Sequence, residues 1–137
     1  MLVPACIALV TGTATVVLPT QTITLGWRHT VEVTRWEEDY LATADGVTIV
    51  EARIEALGAG MEPPNSAVWD GRWWRFRPTL PMLSSVDLAN SAFAGGYTIC
   101  WGSECRPLAA IAPRGVRVSI VGSKCINGDA TPAVEGR

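Results

Sequence analysis

Residues 22–35 restrict the fold of this chain more than any other stretch. They read Thr-Ile-Thr-Leu-Gly-Trp-Arg-His-Thr-Val-Glu-Val-Thr-Arg, with Ile23, Leu25, Trp27, His29, Val31 and Val33 at alternate positions and Thr22, Thr24, Arg28, Thr30, Glu32 and Thr34 between them. Side chains of a strand point alternately to its two faces, so this rhythm predicts one long strand with an apolar face. The β-branched and aromatic residues support that reading. Residues 47–57 alternate too, with Val50, Ala52, Ile54 and Ala56 set against Glu51, Arg53 and Glu55.

Turn signals divide the rest. Asp45-Gly46 and Asp70-Gly71 predict hairpins, because glycine accepts the positive φ that tight turns require. Gly58, Gly60, Pro63 and Pro64 end the strand before them, since such residues cannot continue a ladder. Shorter strands are predicted at 5–11, 14–18, 67–69, 72–77, 85–90, 97–101, 105–110 and 116–121. Residues 86–93 read about as well as a short helix, and no long helical spacing occurs. The pattern predicts an all-β fold, an antiparallel sandwich or barrel of roughly eight to ten short strands. With 137 residues, 48% of them apolar and 18% charged, the chain can bury the core of one domain. That domain is expected over 1–125, with a disordered Gly/Pro/Ala-rich tail at 126–137.

Charge and cysteine usage narrow the function. Eleven basic against thirteen acidic side chains, a formal charge of −2, argue against a nucleic-acid binder. The apolar N-terminus lacks a basic n-region and contains Pro4, so it reads as a strand, with a degenerate export signal as the alternative. No segment offers the roughly 20 apolar residues of a transmembrane helix. The compartment is therefore expected to be cytoplasmic, or periplasmic if the N-terminus is truncated or a degenerate signal. Cys100 and Cys105 bracket Trp-Gly-Ser-Glu. If that is a four-residue hairpin loop, the two face each other within disulfide reach. A disulfide or buried thiols fit the four cysteines better than zinc, because Cys-x4-Cys is loose spacing and His29 is far away.

Other side chains admit a structural and a functional reading. His29 sits between Trp27 and Val31, and a hydrogen-bonded core histidine explains it more simply than an acid–base role. A dyad would need Glu37 or Glu38 to fold back onto it, because Glu32 projects from the opposite face. Thr30 is badly placed as a nucleophile beside His29 for the same reason, and there is no Gly-x-Ser-x-Gly elbow. Glu37-Glu38-Asp39 reads as a solvated turn, with cation binding assisted by Glu62 as the alternative. Residues 58–64, Gly-Ala-Gly-Met-Glu-Pro-Pro, are either a strand terminator or a contact loop presenting Met61. Some of the six tryptophans are expected in the core, where large rings fill thin sheets. The Trp69, Trp73 and Trp74 hairpin puts rings on both faces, so at least one is expected to be exposed or half-exposed.

Trp27-Arg-His-Thr-Val-Glu-Val-Thr-Arg-Trp-Glu-Glu38 resembles the first signature of a bacterial family known as domain of unknown function eighteen-fifty. Gly58-Ala-Gly-Met-Glu-Pro63 resembles its second, and Trp73-Trp-Arg-Phe-Arg-Pro78 and Cys100…Cys105-Arg-Pro-Leu108 resemble its later landmarks. Thr30 stands where the family usually has Ser, and Val33 where Lys is common. Members of that family are often encoded beside tripartite (TRAP-type, TAXI class) solute transporters. The resemblance therefore implies a non-catalytic accessory module that binds a transporter component and needs no cofactor. By that match and by the residues flanking it, the binding residues are His29, Thr30, Glu32, Trp36, Glu37, Glu38, Gly58, Gly60, Met61 and Glu62. The module would use an edge near Glu37–Tyr40, the 58–64 loop and exposed tryptophans. The alternative is a small-ligand or cation-binding domain using His29 and nearby carboxylates.

Overall fold

Alternation produces strands throughout a computed structural model that describes residues 5–28, 34–55, 63–90 and 96–126. They are β1 (Ala5–Val10), β2 (Thr15–Val17), β3 (Thr22–Arg28), β4 (Arg35–Thr43), β5 (Gly46–Glu55), β6 (Val68–Trp69), β7 (Trp73–Phe76), β8 (Val86–Leu88), β9 (Thr98–Trp101), β10 (Glu104–Pro107) and β11 (Val118–Lys124). A 3-10 turn, Leu108–Ala110, follows β10. The fold is all-β, as the sequence rhythm predicts, and the described residues form eleven strands in two antiparallel sheets packed as a sandwich. The smaller sheet runs β2-β1-β11-β8 and the larger β10-β9-β3-β4-β5-β7-β6.

Ile7, Leu9, Val118 and Ile120 of the smaller sheet meet Ile23, Leu25, Tyr40, Ala42, Val47 and Ile99 of the larger. Burying such side chains is the dominant favourable term in folding. Two glycines permit close approaches of one backbone to another. A Cβ on Gly122 would lie 2.7 Å from the Thr43 carbonyl oxygen and 2.8 Å from that of Gly46, so β11 crosses the β4–β5 turn with no room for a side chain. Gly46 itself has φ +151°, and a Cβ there would come within 2.2 Å of the Leu83 carbonyl. That carbonyl accepts from the Val47 N–H at 2.8 Å, and the Leu83 N–H donates back to the Val47 carbonyl at 2.8 Å.

Three details differ from the sequence expectation. Residues 22–35 are not one strand, because Arg28 pairs with Arg35 across the β3–β4 hairpin. On β5, the register steps from Asp39–Glu51 to Tyr40–Ile49, so Val50 is an extra residue in a bulge. The bulge resets the two-residue period: Val47 and Ile49, not Val50, share the face of Ala52 and Ile54, opposite Ala42, Tyr40, Glu38 and Trp36. The cysteine hairpin turns on Gly102-Ser103 alone, with Trp101 paired to Glu104, rather than on a four-residue loop. Of the expected tail only Ile126 is described.

Candidate functional site

β4 lies in the middle of the larger sheet, between β3 and β5. The Glu37-Glu38-Asp39 run is therefore neither a solvated turn nor part of an edge. Strand alternation sends Glu37 and Asp39 to the outer face and Glu38, with Trp36 and Tyr40, to the face that meets the core.

On the outer face the two carboxylates converge on Arg53 of the neighbouring strand. Its Nη2 lies 2.9 Å from Glu37 Oε1, and its Nη1 lies 2.7 Å from Asp39 Oδ2 and 2.8 Å from Glu51 Oε1. Thr24 Oγ1 donates to Asp39 Oδ1 at 2.6 Å. The chain of charges continues from Glu51 to Arg75 at 2.6 Å and on to Asp70, and in the other direction from Glu37 to Arg35 at 3.2 Å. Arg53 is only 7% exposed. Burial alone would favour its neutral form, but hydrogen bonds to Asp39 and Glu51 and the charge of Asp39 outweigh this and hold its pKa above the ordinary value. Asp70 is held well below the usual carboxylate range by the Trp73 N–H, the Arg75 guanidinium and the Arg72 N–H. These charges satisfy one another, and no group of three or more potential ligands among the described residues could hold a metal ion.

The inner face differs. Glu38 sits between Leu25 of β3 and Ala52 of β5 and accepts a hydrogen bond from the Tyr40 hydroxyl at 2.5 Å. Beside it Trp36 stacks on Trp27 with ring centroids 6.0 Å apart, and Tyr97 meets Trp27 edge-on at 5.7 Å. Burial pushes the Glu38 carboxyl above the ordinary carboxylate range, and the Tyr40 hydrogen bond opposes this only in part. Burial, then the charge of Glu38, keep the Tyr40 hydroxyl protonated as a donor.

The raised pKa of Glu38 gives a pH dependence of definite sign. A carboxyl that binds its proton more tightly when folded contributes its full stability below the unfolded pKa of 4.5 and loses it as pH rises through the folded value. Glu38→Gln keeps an acceptor for Tyr40 but cannot ionise. Its stability relative to the parent, measured by urea unfolding, is expected to rise as pH is raised above the unfolded pKa of 4.5. Parallel profiles for the two proteins would contradict the assignment.

His29, Thr30, Glu32, Gly58, Gly60, Met61 and Glu62 lie outside the described residues. Their attachment points are defined. Arg28 and Arg35 form the last pair of β3 and β4, Ile54 pairs with Trp36, and Thr98 pairs with Gly26. Residues 29–33 and 56–62 are thus both anchored at the end of the larger sheet that carries Trp27 and Trp36. Of the predicted site residues, the structure brings Trp36 and Glu38 together on one face and puts Glu37 on the other.

The tryptophan hairpin divides as its alternation requires. Trp73 is 7% exposed beneath Arg72, whose guanidinium carbon lies 5.0 Å from the ring centroid, while Trp69 is 46% exposed and packs on Trp74 at 5.3 Å. Both disulfides are formed, Cys100–Cys105 across the β9–β10 hairpin and Cys6–Cys125 between β1 and the residue after β11. The sequence analysis did not single out Tyr40 and Tyr97, or the central place of Arg53. A signal for Arg53 was present, since Glu51 and Arg53 share parity on one strand and Glu37 and Asp39 on the next.

Fold and site together define a small antiparallel β-sandwich with a charge-crossed outer sheet face and a carboxylate set among aromatic rings on the inner one. The family described as domain of unknown function (DUF1850) matches residues 23–108, and the chain belongs to it. The matched span holds both signature segments, all of β3 but its first residue, β4 to β10 and the Cys100–Cys105 disulfide. No curated protein and no solved structure matches the chain.

Proposed function

We propose that this chain is a non-catalytic accessory module of a TRAP-type (TAXI) solute-transport system, docking on a transporter component through residues of its two signature segments. The observation that supports this reading is topological: the strand ends from which 29–33 and 56–62 depart lie together at one end of the larger sheet. His29, Thr30 and Glu32 of one segment and Gly58, Gly60, Met61 and Glu62 of the other would supply the contacts. Trp36 and Glu38 share the inner face of β4 near those strand ends, and Glu37 pairs with Arg53 on the outer face. Disulfides persist where thiols are oxidised, so two of them favour a partner on the periplasmic side. No helix among the described residues is long and apolar enough to cross a membrane.

The test is co-purification with the components of a TRAP-type (TAXI) transporter. Gly60→Val or Met61→Asp is expected to abolish retention while the thermal melt stays cooperative. Retention by both variants would rule out that segment as the interface.

A second reading, binding of a small ligand or cation, is favoured by one observation, the buried carboxylate of Glu38 beside Trp27, Trp36 and Tyr97. It requires a thermal shift with a cation or an organic anion that disappears in His29→Ala.

A further inference from the structure

Four of the six large apolar side chains exposed among the described residues, Val68, Trp69, Leu80 and Met82, lie along one edge of the larger sheet. Val68 and Trp69 form β6, the outermost strand. Leu80 and Met82 belong to the stretch that continues β7 beyond Phe76, alongside β5, until Leu83 bridges to Val47.

The covalent chemistry of that stretch, Arg77-Pro-Thr-Leu-Pro-Met82, restricts it strongly. Pro78 and Pro81 have φ fixed near −65° and no N–H to donate. Arg77 and Leu80, as residues before proline, are pushed to extended conformations. Residues 77–82 accordingly make no backbone hydrogen bond among the described residues. Most of their surface is open: Leu80 is 54% and Met82 44% exposed. Arg77 is also exposed and, unlike Arg72 and Arg75, has no ion-pair partner among the described residues. It stands on the rim of a shallow groove lined by Val50, Val68, Phe76 and Arg75.

Prolines on a sheet edge prevent pairing with another strand. That role requires neither an exposed Leu80 nor an unneutralised Arg77. An extended Pro-x-x-Pro segment that has lost its conformational entropy in advance is the kind of ligand that aromatic-lined grooves recognise. We propose that residues 77–82 are a preformed recognition segment for a protein partner whose surface offers an aromatic groove for Pro78, Leu80 and Pro81 and a carboxylate for Arg77. The surface runs along β5 toward the β4–β5 turn, away from the end that carries the signature segments, so it is a second contact area rather than a restatement of the first.

The choice of partner for the test rests on the transporter reading. The full chain, with a benzophenone photocross-linker at position 80 or, as a control, at exposed position 16 on the other sheet, is mixed with the purified transporter components. An adduct is expected from position 80 and none from position 16. Pro78→Ala combined with Pro81→Ala, and separately Arg77→Glu, are expected to weaken binding by about tenfold or more with an unchanged melt. Binding by the parent chain should weaken as salt is raised. If Met61→Asp loses binding while the proline and Arg77 variants keep it and position 80 gives no adduct, the segment is rejected and the transporter reading stands. If the parent chain itself does not bind, the transporter reading fails and the assignment of this partner to the segment fails with it.

Discussion

Arg53→Met is expected to destabilise the fold by about 3 kcal/mol at neutral pH, read as a lowered urea midpoint with an unchanged slope. Methionine fills much of the same space but leaves Glu37, Asp39 and Glu51 facing one another without their shared cation. Removing one partner from a buried ion pair costs about 3–5 kcal/mol. The lower end applies here because the three carboxylates are 19%, 18% and 27% exposed and can regain some hydration. The loss should shrink at low pH, where the stranded carboxyls protonate. An equal loss at both ends of the pH range would mean that Arg53 matters for packing rather than for charge.

The two disulfides should differ sharply in what they contribute. Cys6 and Cys125 are 119 residues apart in sequence, Cys100 and Cys105 only 5. Closing the long loop in the unfolded chain removes far more conformational freedom, so the chain-entropy argument gives about 5 kcal/mol for Cys6–Cys125 and about 2 kcal/mol for Cys100–Cys105. Paired serine substitutions at each bridge, compared by denaturant unfolding, check the ranking. A Cys100–Cys105 variant as unstable as the Cys6–Cys125 variant would show that native-state contacts, not loop length, set the effect.

The sheets were legible in the sequence because their signal is local. A period of two and a glycine in a turn are properties of a few neighbouring residues, and nearly every predicted short strand exists. What was misjudged depends on pairing between distant segments. Glu37-Glu38-Asp39 looks like a turn in isolation, since three adjacent acids repel one another. It becomes strand because Arg53, in register one strand away, neutralises two of them and the Tyr40 hydroxyl donates a hydrogen bond to the third. The bulge at Val50 was hidden for the same reason: a residue left over in one strand is visible only once its partner strand is known. The 14-residue rhythm of 22–35 carried no mark of the hairpin within it, because alternation alone does not say where a strand reverses. Of the candidate site, Glu38 was singled out through the family resemblance, whereas Tyr97, just before β9, meets Trp27 from across the sheet and has no sequence neighbour to reveal it.

The pairing of β1 with β11 bears on how the protein is made. Ala5 to Leu9 are all buried, and their hydrogen-bonding neighbour along the full length of β1 is a strand near the far end of the described chain. During synthesis this apolar ribbon leaves the ribosome long before its mate does. Contacts of such high sequence separation slow folding and leave an adhesive edge uncovered in the meantime. The nascent chain therefore has a built-in waiting period, and a holdase that shields β1 should raise the yield of folded protein more than one acting on any other strand.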